Sequence, residues 1–208
     1  MSEFAISDTS ERIFLLNTIE FAAAIFRGPD RDGWEGIISV GLPQLIASSN
    51  RQSPVVTGIL KKMQAALSND IPNQLALLLT EYERLFTDIG TPAVVPLYEA
   101  GHLEERSRIR NESALSMCSR LINAGLDIPL NSSEPPDHLS IELEYLYHRL
   151  ATSWSEANPE IESRAREFAR CTMLPWLRRL RRNLALVSPH PVYLGIADLT
   201  VAILETIR

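Results

Sequence analysis

Apolar residues recur every three to four positions along nearly the whole chain, the spacing of helices that each bury one face. Ile13, Leu16, Ile19, Ala23 and Phe26 follow a capping box at Asp8-Thr9-Ser10-Glu11 and run as far as Gly28-Pro29. Trp34, Ile37, Ile38 and Leu42 predict a second helix, broken near Gly41-Leu42-Pro43. Ser53-Pro54 supplies a cap and a proline at the first helical position, opening a helix that extends to about Ser68. Another starts near Pro72 and carries Leu75, Leu78, Leu79, Tyr82, Leu85 and Phe86 on one side.

The pattern stops between Thr87 and Tyr98, where Gly90, Pro92 and Pro96 predict an ordered loop. A long helix follows from about Glu104 to Ala124, with Leu115, Cys118, Leu121 and Ile122 inward and Gly125 as its stop. Leu126 to Pro136 is a second loop rich in Pro, Asn and Ser. Helices then resume over 138–157, 159–174, 176–187 and 191–207, punctuated by Pro159, Pro175 and Pro189. No segment alternates with β-branched enrichment and no fixed-period repeat is present. The expected fold is one all-α domain spanning 1–208, built of about nine helices.

Composition narrows the function classes. A chain of 208 residues, 45% hydrophobic and 22% charged, can bury one sizeable core. Its net charge of −6 argues against a nucleic-acid partner. No apolar run approaches the ~20 residues a bilayer requires. The acidic start Met1-Ser2-Glu3-Phe4 lacks the basic and apolar regions of a leader, so a cytoplasmic location is expected. Cys118 and Cys171 lie in apolar helical contexts without metal-ligand spacing, and are expected to be buried free thiols.

Charge is unevenly distributed. Glu134 to Glu162 holds seven acidic residues against Arg149, whereas Ser163 to Leu186 holds seven arginines against Glu167. Two helix faces that complement each other would explain this, as would an acidic site for a basic peptide. Arg178-Arg179-x-Arg181-Arg182 reads as one exposed helix face, with Leu177, Leu180, Leu184 and Val187 packed inward. Docking of an acidic partner surface on that face is the sharper reading.

The stretch most suggestive of function is Glu134-Pro135-Pro136-Asp137-His138-Leu139-Ser140-Ile141-Glu142-Leu143-Glu144-Tyr145. The prolines stiffen a loop and Asp137 is placed to cap the next helix. Leu139, Leu143, Leu146, Leu150 and Trp154 form an apolar stripe, while His138, Glu142, Tyr145 and Arg149 share a different face. His138 and Glu142, one turn apart, can influence each other's charge, and His138 could tune the site near neutral pH. The pattern admits a satisfied histidine at the core's edge or a metal-dependent enzyme site using His138 and Glu142. The spacing is neither the Glu-x-x-His of di-iron bundles nor the His-Glu-x-x-His of zinc hydrolases. No nucleophile elbow or P-loop is present, so no catalytic, cofactor-binding or metal residues are assigned.

That stretch resembles the signature of the TorD/DmsD/NarJ family of redox-enzyme maturation chaperones. Tyr82-Glu83-Arg84-Leu85-Phe86 is similar to the family helix that ends in an aromatic before a Gly/Pro loop. Pro96-Leu97-Tyr98-Glu99-Ala100 is similar to its Pro-Tyr-Glu-Ser element, with Ala100 in place of serine. Phe168 and Pro175-Trp176-Leu177 resemble its late helix pair, so the likeness covers roughly residues 75 to 200. It implies an all-α TorD-like fold, no enzymatic activity and no cofactor. It further implies binding of the twin-arginine signal peptide of a molybdopterin-containing oxidoreductase, held in the cytoplasm until its cofactor is inserted. Carried over onto this chain, the peptide-binding residues are Phe86, Pro96, Tyr98, Glu99, Glu134, Pro135, Asp137, His138, Glu142 and Tyr145. The expected assembly is a monomer or a domain-swapped dimer, with no nucleic-acid partner and no stable membrane insertion.

Overall fold

The computed structural model describes residues 4–28, 31–50, 53–67, 71–87, 94–102, 109–127 and 134–207. Its helical segments are α1 (Thr9–Arg27), α2 (Arg31–Gly36), a π turn (Ile37–Gly41), α3 (Leu42–Ser49), α4 (Pro54–Ala65), α5 (Ile71–Phe86), a 3-10 turn (Glu99–His102), α6 (Ile109–Asn123), α7 (Leu139–Ser155), α8 (Pro159–Phe168), a second π turn (Ala169–Met173), α9 (Leu174–Leu186) and α10 (Pro191–Ile207). The π turns join α2 to α3 and α8 to α9 without a break, so the described residues form eight continuous rods. The fold is all-α. Its sole strand-like pairing among the described residues is one antiparallel bridge, Tyr98 with His138.

The starts follow local chemistry. The Asp8 carboxylate accepts the Glu11 N–H and Ser53 Oγ accepts the Val56 N–H. Asn158 Oδ1 accepts the Glu160 N–H, ahead of Pro159 in the first turn of α8. Each satisfies a donor that the helix itself leaves without a partner.

Pro43 and Pro175 do not end helices, contrary to the sequence expectation. Each stands two residues after the end of a π turn, at which Leu42 N–H reaches back to Ile37 O and Leu174 N–H to Ala169 O. The wider turn relieves the clash between a proline ring and the carbonyl four residues earlier. The extra residue also lets α3 and α9 continue on their own faces.

Helix α10 is buried along most of its length, from Val192 to Ile207, and packs against α1, α4 and α9. Helix α1 also packs broadly against α7, and α7 against α8. The close approach of α10 to α4 depends on Gly195. A Cβ there would stand 2.3 Å from Met63 Cγ, whereas one at Gly58 would meet nothing within 4 Å. Gly195→Ala is therefore expected to destabilise the protein by about 1–2 kcal/mol, overpacking outweighing the gain in helix propensity. Gly58→Ala should stabilise it by up to about 1 kcal/mol. Urea melts of the two variants check both signs.

Three expectations about faces are corrected. On α6, Leu115 and Ile122 are exposed, and the inward positions are Ser113, Met117 and Leu121, one turn apart. Cys171 is exposed and Cys118 only half-buried, so neither is a buried thiol. Glu160 pairs with Arg164 across the acidic and basic segments, but other charges of the two are turned to different parts of the fold. Glu144 pairs instead with Arg27 of α1, and Glu162 accepts the N–H groups of Ala5 and Ile6. The α9 face buries Leu177, Leu180 and Leu184 as expected. Three of its four arginines are engaged internally: Arg178 with Glu205, Arg181 with Asp198, and Arg179 with the His102 carbonyl. Parts of the two predicted loops (88–93 and 128–133), the first turn of the predicted 104–124 helix and its neighbours (103–108), and the end of the helix predicted to reach Ser68 (68–70) lie outside the described residues.

Candidate functional site

The two proline-containing segments meet. Leu139 N–H donates to Leu97 O at 2.7 Å and Glu99 N–H to Asp137 O at 3.1 Å, flanking the Tyr98–His138 bridge. On one side, Val95 N–H bonds Leu85 O at 2.9 Å, fixing the segment to the end of α5. On the other, His138 N–H bonds Pro135 O at 2.9 Å in a turn that leads into α7. Pro96, Tyr98, Glu99, Glu134, Pro135, Asp137 and His138 are thereby gathered at one junction, with Glu142 behind it.

Burial divides these residues. Glu134 is exposed, and Pro96, Tyr98, Glu99 and Pro135 are half-buried. Asp137, His138 and Glu142 are only 2%, 3% and 1% exposed. The polar face of α7 is therefore buried at its N-terminal end, where His138 and Glu142 lie under the 3-10 turn and α9, while Tyr145 and Arg149 further along are half-buried.

Each buried group has a partner. Asp137 Oδ2 accepts the Ala100 N–H at 3.1 Å and so caps the 3-10 turn. The substitution of serine by Ala100 leaves this bond intact, because the backbone supplies the donor. The cap of α7 is His138, not Asp137. His138 is extended and its Nδ1 accepts the Ser140 N–H, with Ser140 Oγ at 2.9 Å. Since Nδ1 accepts, the neutral ring carries its proton on Nε2, which lies 3.6 Å from Glu134 Oε2. That contact is too long for a hydrogen bond. Burial pushes the His138 pKa down to about 4, so the ring is neutral at pH 7 and does not titrate near it. The expected switch at neutral pH is thereby corrected.

Glu142 is enclosed. Its Oε2 accepts the Trp176 Nε1–H at 3.1 Å. Burial, and next the charge of Glu99, hold its carboxyl well above the usual carboxylate range; the Trp176 bond and the Arg120 guanidinium act against them. His138 is not among the causes, so these two residues do not set each other's charge as expected. Burial and the Asp137 carboxylate also raise Glu99, which the Ser113 hydroxyl and Arg120 partly offset. Asp137 is raised by burial. Three carboxyls thus crowd one junction with Arg120 as the counter-charge, an arrangement that attracts a cation arriving from solvent at Glu99.

Sequence reading missed His102. Its Nε2–H donates to Pro96 O at 2.7 Å, and its ring stacks on Trp176 with centroids 5.6 Å apart. Gly101 makes this turn possible: a Cβ there would lie 2.5 Å from Pro96 Cγ. Arg120 and Ser113 were also missed. Nothing in their local sequence marks them, because their role depends on α6 being brought beside the 3-10 turn that carries Glu99.

Two predicted site residues lie elsewhere. Phe86 is in the core, edge-on to Phe26, Tyr82 and Tyr193. Tyr145 packs edge-on to Phe168 at 5.0 Å and lines a separate cavity. His138 and Glu142 turn to different partners, and the described residues contain no group of three His, Cys, Asp or Glu side chains able to hold a metal ion.

The chain as a whole is similar to known proteins. A family model described as the nitrate reductase delta subunit matches residues 50–182. The chain is 24% identical over 186 residues to the chaperone protein TorD of Salmonella arizonae, covering 88% of this chain and 84% of that one. The TorD proteins of Salmonella paratyphi B and Salmonella newport match at the same identity and coverage. A solved structure described as a redox enzyme maturation protein of Archaeoglobus fulgidus shares the fold, with a TM-score of 0.53, 22% identity and 99% of both chains covered.

Proposed function

From the premise that the chain belongs to the nitrate reductase delta subunit family, the family of the TorD chaperones, we propose that it is a redox-enzyme maturation chaperone. Its client is a molybdopterin-containing oxidoreductase, whose N-terminal twin-arginine signal peptide it binds in the cytoplasm until the cofactor is inserted. The observation that carries this reading is the junction itself, where Tyr98 and Glu99 are stitched to Asp137 and His138 by a backbone bridge.

The burial pattern assigns roles within it. Glu99 and Glu134 present carboxylates to a peptide's guanidinium groups, with the Tyr98 ring and Pro96 as an apolar edge. Asp137, His138 and Glu142 act from behind as positioning residues: Asp137 holds the 3-10 turn, His138 starts α7, and Glu142 anchors Trp176 under the turn. Phe86 and Tyr145 contribute through packing.

A synthetic twin-arginine peptide followed by its apolar stretch, titrated by fluorescence anisotropy, tests the reading. The double variant Glu99→Gln/Glu134→Gln should bind about tenfold more weakly, since two partly exposed charge pairs together amount to roughly 1–2 kcal/mol. Because Glu99 is raised, its ionisation is completed only above the usual carboxylate range. Affinity should therefore climb as pH rises through that raised pKa, and fall as pH drops. The double variant should lose this slope. Unchanged affinity in a double variant with native helicity would remove the peptide from this junction.

A further inference from the structure

One cavity is unused by the peptide reading. It lies between the end of α6, the middle of α7 and the α8 π turn, and has a volume of about 450 Å³. Its walls bring Arg120, Arg149 and Arg164 together, with Asn123, Tyr145 and Thr172 between them and Glu167 as the one acidic side chain. These residues come from three segments distant in sequence, so the fold, not a local run of charge, assembles the cations.

The three guanidiniums are held differently. Arg120 lies over the Phe168 ring at 4.9 Å, with Nη2 3.5 Å from Thr172 Oγ1. Arg164 is paired with Glu160 at 2.5 Å. Arg149 is half-buried and, among the described residues, makes no hydrogen bond, ion pair or ring contact. The nearest acid along α7, Glu144, is already paired with Arg27. Gathering like charges is unfavourable unless an opposite charge is shared between them.

We infer that this cavity binds the phosphate group of a small phosphate-bearing molecule or of free phosphate. Guanidinium forks match the tetrahedral oxyanion in a bidentate way, and Asn123, Thr172 and Tyr145 offer neutral donors for its remaining oxygens. Arg149 is the side chain available to reach it without giving up a contact. Phe168 offers no open face to an aromatic ligand, because it is 2% exposed, with Arg120 over its ring and Tyr145 packed against it. Recognition is therefore directed to the anion.

Isothermal titration of the full chain with inorganic phosphate and, separately, with glycerol phosphate tests this, citrate serving as a carboxylate control. Saturable one-site binding of at least one phosphate probe, a rise in Tm and weaker citrate binding are expected. A preference for glycerol phosphate would point to an ester as the ligand, and a preference for inorganic phosphate to the free ion. Arg149→Gln should weaken binding by about tenfold while leaving the unliganded Tm unchanged, with partial recovery in Arg149→Lys. Arg182→Gln, on the exposed face of α9, should bind as the unsubstituted protein does. No saturation by roughly 10 mM of either phosphate probe, or equal losses in Arg149→Gln and Arg182→Gln, would overturn the inference. Arg120 borders both sites, but Arg149 faces the cavity alone, so loss of phosphate binding in Arg149→Gln is read apart from loss of peptide binding in Glu99→Gln/Glu134→Gln.

Discussion

Replacing Trp176 by alanine should lower stability by about 3–5 kcal/mol, the cost of truncating a buried large aromatic, and Tm by on the order of 10 °C. The indole is 1% exposed, so its removal opens a cavity rather than an empty surface. Two further losses compound it: the N–H that serves Glu142, and the ring on which His102 stacks. Trp176→Phe separates these contributions. It keeps most of the apolar volume but leaves the Glu142 carboxyl without its donor, at about 1–3 kcal/mol. Urea unfolding of both variants at neutral pH provides the measurement. A phenylalanine variant as stable as the parent would show that the indole N–H contributes nothing to the fold.

Glu142→Gln should shift the pH dependence of stability in the opposite sense from most acid-to-amide changes. The folded Glu142 carboxyl sits well above 4.5, its ordinary value, because burial and the Glu99 charge oppose ionisation. Between the unfolded and folded pKa, the folded state holds the proton that the unfolded state has released. Stability therefore declines as pH rises through that window, by up to about 1.4 kcal/mol per pH unit. Glutamine keeps an acceptor for Trp176 Nε1–H and has no proton to lose. The variant should match the parent near pH 4.5 and become progressively more stable than it at higher pH. His138 works the other way: with a folded pKa near 4, it loses stability as pH falls below 6.5. That loss is common to both proteins and cancels in the difference. Thermal melts from pH 4.5 to 9 follow the divergence, and parallel curves would contradict a proton held on Glu142.

The sequence was most legible where side chain and backbone act locally. Asp8, Ser53, and Pro159 with its neighbour Asn158, mark helix starts because each satisfies or removes an orphan N–H within one turn. The core stripe Leu139, Leu143, Leu146 and Leu150 was equally clear, since helical spacing alone sets it. Pro43 and Pro175 misled, because a π turn absorbs a proline without leaving a recognisable local pattern. Leu115 and Ile122 were placed inward on apolar character, but neighbouring segments decide which face of α6 is covered. At the candidate site, periodicity offered only a polar face on α7. Its pairing with Tyr98 and Glu99 came from family resemblance, and the closure of that face by Trp176, thirty-four positions beyond Glu142, is a long-range contact that no local rule anticipates.

The Tyr98–His138 bridge has one more consequence. It closes the chain between those residues into a loop with α6 inside it, tethered at both ends. Closing a flexible loop of roughly forty residues carries an entropic cost on the order of 3 kcal/mol. Here the backbone bonds of Leu139 and Glu99, the Asp137 cap and the core beneath them meet that cost during folding. On the proposed reading, a peptide that docks at Glu99 would meet a surface already ordered, so little of its contact energy would be diverted into arranging its host.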